Sequence, residues 1–119
     1  MSSASFEDLD VWKRACRQAL EIYQVLKSTK EFGLKNQMER AAVSVASNIA
    51  EGAERDSPKD FIRFLNIAKG SNAELRTQLY LASKLNLLPE PKTLIKEAKE
   101  ISAMLQGLIA AVRKKIPSS

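Results

Sequence analysis

Apolar residues recur at steps of three and four through most of this chain, and that periodicity constrains the fold more than any other feature. Such spacing is typical of helices with one buried face, whereas a half-buried strand alternates apolar and polar residues. Four segments show it, at about residues 8–28, 35–54, 58–86 and 92–115. The sequence therefore predicts an all-α fold of four helices.

The breaks between these segments contain residues that begin or end helices. Ser57 is a good helix N-cap, and Pro58 suits the first helical position. Pro89 and Pro91 cannot continue a helix, so they end the third segment. Because the connections are short, we expect an antiparallel up-down-up-down four-helix bundle forming a single domain over residues 1–119. The pair Phe32-Gly33 is interpreted as the break before the second helix.

The first segment carries one apolar row that we expect to face the core. Its members follow 4-3-4-3 spacing and are Trp12, Cys16, Ala19, Tyr23 and Leu26. A second apolar flank lies beside it and consists of Val11, Ala15, Ile22 and Val25. Trp12 and Tyr23 are interpreted as core or interface anchors, and Cys16 as a buried, unreactive thiol.

The chain contains no histidine, which excludes several kinds of site. Histidine-based catalytic triads, mixed histidine–cysteine zinc sites and the Glu-x-x-His di-iron bundles all require it. The single cysteine excludes an intrachain disulfide framework and fits a reducing compartment. No apolar run is long enough to span a bilayer and no signal peptide is evident, so we expect a cytoplasmic protein without a membrane partner. No metal or cofactor is predicted.

The net charge of +5 is concentrated in the C-terminal part of the chain. Residues 92–119 contain six basic and two acidic residues, a net charge of +4. These basic residues are candidates for binding nucleic-acid phosphates: Lys92, Lys96, Lys99, Arg113, Lys114 and Lys115. A solvated helix face with cations favoured at its C-terminus explains them equally simply.

Two polar stripes interrupt the apolar pattern of the second and third helices. The first consists of Arg40, Ser44, Ser47, Asn48 and Glu51, and the second of Ser71, Glu74 and Gln78. They are compatible with a solvated face, with an internal polar network, or with a subunit interface or ligand groove. In a buried network Arg40 would pair with Glu74 or Glu51, and Arg40→Ala would cost a few kcal/mol because the remaining charge would be stranded.

An acid/base pair made of Glu51 and Glu74 is a further hypothesis for the stripes. Carboxylates can perform such chemistry when they are held about 5–9 Å apart, but nothing in the spacing sets that distance. The same two residues with Asn48 lack a dense oxygen-ligand pattern for a metal ion. We therefore expect no enzyme, and substituting either glutamate with glutamine would test the alternative.

Several motifs resemble one known family. They are Arg-Ala-Ala-x-Ser at 40–44, Asn-Ile-Ala-Glu-Gly at 48–52, the Phe-x-x-Phe-Leu-x-Ile-Ala-x-Gly-Ser segment at 61–71, and Glu-Leu-x-Thr-Gln-Leu at 74–79. A Phe-x-Asp-Leu-x-Val-Trp-Lys pattern at 6–13 precedes them. In order and spacing they resemble the four-helix bundle proteins encoded by intervening sequences of bacterial 23S rRNA genes. The accessory variability determinant of a retroelement is a protein similar to this family.

The resemblance implies a short antiparallel bundle that assembles into a homopentameric ring, and it transfers no catalytic residue. The similar retroelement protein is basic, associates with a reverse transcriptase and binds nucleic acid. The leading hypothesis is therefore a non-enzymatic oligomeric scaffold that binds RNA or DNA through basic outer surfaces. The alternative is an adaptor for a protein partner, such as a reverse transcriptase or another nucleic-acid enzyme, without direct contact to nucleic acid.

Overall fold

The computed structural model describes residues 5–117, and within that range it contains helices and no strand. A 3-10 turn at Phe6–Asp8 precedes four α-helices. They are α1 (Asp10–Val25), α2 (Phe32–Ala53), α3 (Pro58–Lys84) and α4 (Pro91–Arg113). The predicted all-α fold of four helices is confirmed. The predicted domain also includes residues 1–4 and 118–119, which lie outside the described part.

Two helix starts differ from the sequence-based prediction. Leu9 has extended backbone angles (φ −76°, ψ 122°), so α1 begins at Asp10 instead of at residue 8. Phe32 and Gly33 were expected to form a break, but they are the first two residues of α2. The real break is the connection 26–31, which contains no proline or glycine and so carried no strong signal.

The two ends of α3 are closed by local hydrogen bonds. At its start, the backbone N–H of Asp60 donates to Oγ of Ser57 over 3.2 Å, as expected for an N-cap serine. At its end, Asn86 adopts a left-handed conformation with φ 57°. This lets the N–H of Leu87 donate to the carbonyl of Ala82 over 3.0 Å, the pattern of a Schellman cap. Asparagine tolerates this backbone better than most residues.

The core consists of two apolar clusters, one toward each end of the bundle. The first contains the C-terminal part of α1, the N-terminal part of α2, the C-terminal part of α3 and the N-terminal part of α4. The second contains the opposite parts of the same helices. Because each cluster combines the end of one helix with the start of the next, successive helices run in opposite directions. Each helix packs against the next, and α4 also packs against α1.

The buried face of α1 differs from the predicted one. The buried apolar residues of this helix are Val11, Ala15, Ala19 and Ile22, with Leu26 directly after it. Trp12 and Cys16 are only half-buried, and Tyr23 is 48% exposed. The core face therefore lies between the two predicted rows. It combines Ala19 and Leu26 of the first row with Val11, Ala15 and Ile22 of the second flank. Gln18, a polar residue, is buried on the same face, so this face is less evident in the sequence.

Candidate polar layer and interaction surfaces

Three residues of the predicted polar stripes join α2 to α3 inside the subunit. The hydroxyl groups of Ser44 and Ser71 are hydrogen-bonded at 2.9 Å. Nδ2 of Asn48 donates to the carbonyl oxygen of Ser44 over 2.9 Å and to its Oγ over 3.0 Å. Because Ser44 Oγ accepts from Asn48, its own proton is free to be donated to Ser71. These three residues of the stripes therefore form a hydrogen-bond network inside the subunit.

The charged members of the stripes are not part of that network. Arg40 is exposed and forms no ion pair with any residue in 5–117, so the alternative of an internal pairing with Glu51 or Glu74 is not formed. Glu51 instead lies 3.6 Å from Arg55, one helical turn further along. Glu74 and Ser47 are exposed as well. Alanine, valine and isoleucine side chains fill the core side of α2, which leaves Arg40 hydrated at its outer edge.

Gln78 is the only predicted stripe residue that the described structure places in the buried class. It is 6% exposed, and its Oε1 atom has no hydrogen-bond partner among the described residues. Buried polar atoms normally have a partner in the protein or an ordered water. Gln78 lies seven residues after Ser71, so the two side chains are on the same face of α3, as the sequence pattern predicted.

A second buried polar group crosses the centre of the bundle, and the sequence analysis missed it. Gln18 is 2% exposed and Asn72 is fully buried. Nε2 of Gln18 donates to Oδ1 of Asn72 over 3.3 Å, and Nδ2 of Asn72 donates to the carbonyl oxygen of Ala98 over 2.6 Å. These contacts connect α1, α3 and α4 between the two apolar clusters. The available sequence signal was Asn72, a polar residue at a core position four residues after Ala68.

At the α1–α4 boundary, Arg14 binds two carboxylates of α4. Nε of Arg14 lies 3.0 Å from Oε2 of Glu97, and Nη2 lies 2.6 Å from Oε1 of Glu100. The hydrogen bond from Arg14 lowers the pKa of Glu100 below its usual value, and the two carboxylates raise the pKa of Arg14. Paired guanidinium and carboxylate groups of this kind fix the approach of two helices geometrically.

An open apolar groove lies between α1 and α2. It has a volume of about 510 Å³ and is lined by Cys16, Ala19, Leu20, Tyr23, Val43, Ala46 and Ser47. Leu20 is 71% exposed and Val43 is 43% exposed, so large apolar side chains face solvent there. Partial burial raises the pKa of the Cys16 thiol, which disfavours the reactive thiolate. We call this surface the α1–α2 groove.

An exposed apolar row follows the outer side of α3, and we call it the α3 ridge. Its members are Ile67, Leu81 and Leu85, whose exposed fractions are 42%, 53% and 56%. Their spacing of fourteen and four residues places them on one helix face. Glu74, which is exposed, lies on the same face midway between Ile67 and Leu81.

The six basic candidates on α4 do not form one patch. Lys92, Lys96 and Lys99 lie toward the start of the helix, whereas Arg113 ends it and Lys114 and Lys115 follow. All six are exposed. Residues 92 and 113 are separated by about 32 Å at the helical rise per residue. A phosphate-binding surface containing all six would have to extend along most of the length of α4.

Within residues 5–117, no three histidine, cysteine, aspartate or glutamate residues are grouped closely enough to hold a metal ion. No helix in this range combines the length and the apolar character needed to cross a bilayer.

The fold and these surfaces define a small helical bundle with a buried polar layer and two uncovered apolar surfaces. Within that class, the chain belongs to the 23S rRNA-intervening sequence protein family, whose sequence model matches residues 7–107. A crystal structure from Bacteroides thetaiotaomicron has a similar fold, with a TM-score of 0.80 and 26% sequence identity. The similarity covers 84% of this chain and 95% of that one, a protein of unknown function from the S23 ribosomal protein family. Among curated protein sequences, none matches this chain.

Proposed function

We propose that this protein is a non-enzymatic scaffold that assembles into a ring of identical subunits, a pentamer as the resemblance implies, and binds RNA or DNA on its basic outer surface in the cytoplasm. The observation that carries the proposal is the uncovered α1–α2 groove. Contiguous exposed apolar surfaces of this kind mark interaction sites in soluble proteins.

The groove and the α3 ridge are suitable partners for each other in neighbouring subunits. Each subunit of a closed ring uses two different surfaces, one for each neighbour. The groove is concave and apolar, and the ridge presents Ile67, Leu81 and Leu85 in a row. An interface built from these surfaces would cover Leu20 of α1 and Ile67 and Leu81 of α3, all of which are exposed.

Charge complementarity supports the same pairing. The surface next to the groove shares Tyr23 and Val43 with it and also contains Arg40 and Glu39. The middle of the ridge contains Glu74. Arg40 of one subunit would thus meet Glu74 of the next, so the pair expected from the sequence would form between subunits. An arginine–carboxylate pair across an interface fixes the register of docking.

Glu74, one of the two carboxylates considered for acid/base chemistry, fits this interface role better than catalysis. Glu51 and Glu74 are both exposed, and Glu51 lies beside Arg55. Catalytic carboxylates depend on burial or close like charges to shift their proton affinity. Glu74→Gln should therefore weaken assembly.

A charge exchange tests the assembly. We expect the wild-type protein to have the solution mass of an oligomer, and Arg40→Glu or Glu74→Arg alone to reduce it to monomer. The combined variant Arg40→Glu/Glu74→Arg should recover the oligomer because the pair is restored with opposite polarity. Failure of the combined variant to assemble, while both single variants still melt cooperatively, would exclude this interface. A monomeric wild-type protein would favour the adaptor function, with the groove occupied by a different protein.

Nucleic-acid binding is tested separately on the purified wild-type protein. The net charge of +5 supports binding to phosphates, and such binding weakens steeply with salt because counterions are released. We expect absorbance at 260 nm from co-purified nucleic acid, and an affinity for a structured RNA that falls as salt rises. Absence of binding at low salt would exclude this part of the proposal.

A further inference from the structure

The basic charge of the folded protein is concentrated at one end of the bundle. The connection end, defined as residues 22–39 and 79–96, contains the α1–α2 and α3–α4 connections. It carries six lysines and three glutamates, a net charge of +3. The lysines are Lys27, Lys30, Lys35, Lys84, Lys92 and Lys96. The antiparallel packing brings together charges that are far apart in the sequence.

The opposite end is neutral although it contains the longest basic run of the chain. This terminal end, residues 5–13, 49–65 and 108–117, carries seven basic and seven acidic residues. Arg55 lies 3.6 Å from Glu51, and Arg63 lies 3.8 Å from Asp60. The acidic starts of the chain and of α3 therefore offset the charge of residues 113–115. At a distance, a phosphate responds to the sum of the local charges.

The lysines of the connection end are available to a ligand. Five of the six are exposed and Lys35 is half-buried. None of the six forms an ion pair with a residue of the described range 5–117. A lysine without a carboxylate partner gives up no existing pair when it binds a phosphate.

An exposed aromatic ring lies at the same end. Phe32 begins α2 between Lys30 and Lys35 and is 60% exposed. Exposed aromatic rings among basic residues provide stacking surfaces for unpaired bases, whereas the bases of a duplex are already stacked on one another.

We infer that the connection end binds single-stranded RNA or DNA, with its lysines holding the phosphates and Phe32 stacking on a base. This inference rests on the proposed binding of nucleic acid and specifies its place and the strandedness of the ligand. The run Arg113 to Lys115 at the terminal end is then not the main phosphate contact.

Two matched sets of four substitutions test the place of binding. The connection-end variant combines Lys27→Gln, Lys30→Gln, Lys84→Gln and Lys92→Gln. The terminal-end variant combines Lys59→Gln, Arg113→Gln, Lys114→Gln and Lys115→Gln. All eight side chains are exposed, and both variants lower the net charge by the same amount. Thermal melting and solution mass first establish that both variants fold and assemble as the wild type does.

The readout is the affinity for a fluorescent single-stranded oligonucleotide as salt is varied. The slope of log affinity against log salt should decrease by about 3 in the connection-end variant, since each single-strand phosphate contact contributes about 0.7. The terminal-end variant should decrease it by about 1 or less. An equal or larger decrease in the terminal-end variant would overturn the inference while leaving nucleic-acid binding established. No binding by the wild type would overturn both.

A second pair of variants tests the stacking role. Phe32→Ala should weaken single-strand binding about 5- to 150-fold, the range for the loss of one base–aromatic stack, and change duplex binding little. Gln37→Ala shortens an exposed, uncharged side chain at the same end and should leave single-strand affinity nearly unchanged. Equal effects of both variants, or wild-type preference for a duplex over a single strand, would contradict the assignment.

Discussion

At the scale of single residues, Gly52 shows how a close approach of two helices depends on one missing side chain. A Cβ atom at this position would lie 2.6 Å from Cβ of Phe64 and 3.1 Å from Cδ1 of Phe61. Gly52→Ala should lower the free energy of unfolding by about 1–3 kcal/mol, since overpacking outweighs the gain in helix propensity. Denaturant unfolding measures the change.

Gly107→Ala is the matched control for that substitution. Gly107 is also inside a helix, but nothing within residues 5–117 would lie within 4 Å of its Cβ atom. Replacing it should raise the free energy of unfolding by up to about 1 kcal/mol through helix propensity alone. If both variants are stabilised, α2 and α3 have room to separate at Gly52, and their close packing at this position is not required.

Asn72 and Gln18 illustrate the difference between breaking a buried hydrogen bond and removing it entirely. Asn72→Leu leaves the amide of Gln18 buried without its partner, which should cost about 1–3 kcal/mol of unfolding free energy. Gln18→Leu should cost a similar amount. The double variant removes both polar groups and should recover most of the loss. Losses that simply add in the double variant would show that the two side chains do not act as a pair.

At the scale of helices, sequence periodicity predicted which segments are helical but misplaced the core face of α1. Both apolar rows of α1 fit the helical period, and the row with Trp12 and Tyr23 contains the larger side chains. The structure buries Ala15 and Ile22 together with Ala19 and Leu26 of the other row, so the core face lies between the two rows. Which face of α1 is buried depends on the surfaces of the neighbouring helices, and the sequence of α1 alone does not contain that information.

The ion pairs of Arg14 should make the contact between α1 and α4 sensitive to acid. Because the pKa of Glu100 is lowered in the folded state, its stabilising contribution is fully present above about pH 4.3, the usual glutamate value. It is lost as the pH falls through the lower folded-state pKa. The melting temperature of Glu100→Gln should therefore decline less than that of the wild type below about pH 4.

Glu54→Gln serves as the control for that pH dependence. Glu54 is exposed and forms no ion pair with any described residue. Its substitution should leave the acid decline of the melting temperature the same as in the wild type. Parallel declines of Glu100→Gln and the wild type would show that solvent screens the Arg14–Glu100 pair, which is partly exposed, at 27% and 44%.

At the scale of the whole molecule, part of the candidate site was readable from sequence and part was not. The helical spacing of Ser44, Asn48 and Ser71 was compatible with the observed polar contact between α2 and α3, but also with a solvated face or a subunit interface. The same spacing did not show that Arg40 lies outside this contact, because two residues one turn apart can face a neighbouring helix and solvent respectively. The charge balance of each end was hidden as well, since it depends on which segments the fold brings together.

Mixing two variants distinguishes a ring built from different surfaces from a symmetric dimer. Leu20→Glu damages the α1–α2 groove and keeps the α3 ridge, whereas Leu81→Glu damages the ridge and keeps the groove. Each variant alone should be monomeric by solution mass. A mixture should form a one-to-one heterodimer, because only the ridge of the first variant can enter the groove of the second, and both remaining surfaces are damaged.

The alternatives give different masses in the same experiment. If the groove met a second groove, Leu81→Glu would assemble as the wild type does and Leu20→Glu would stay monomeric in the mixture. If neither surface were used, both variants would assemble alone. A heterodimer that stops at two chains is therefore the specific signature of groove-to-ridge docking, and it requires that every wild-type subunit present both surfaces at once. Two different surfaces on every subunit would let the assembly continue from subunit to subunit until the rotation between neighbours closes the proposed ring.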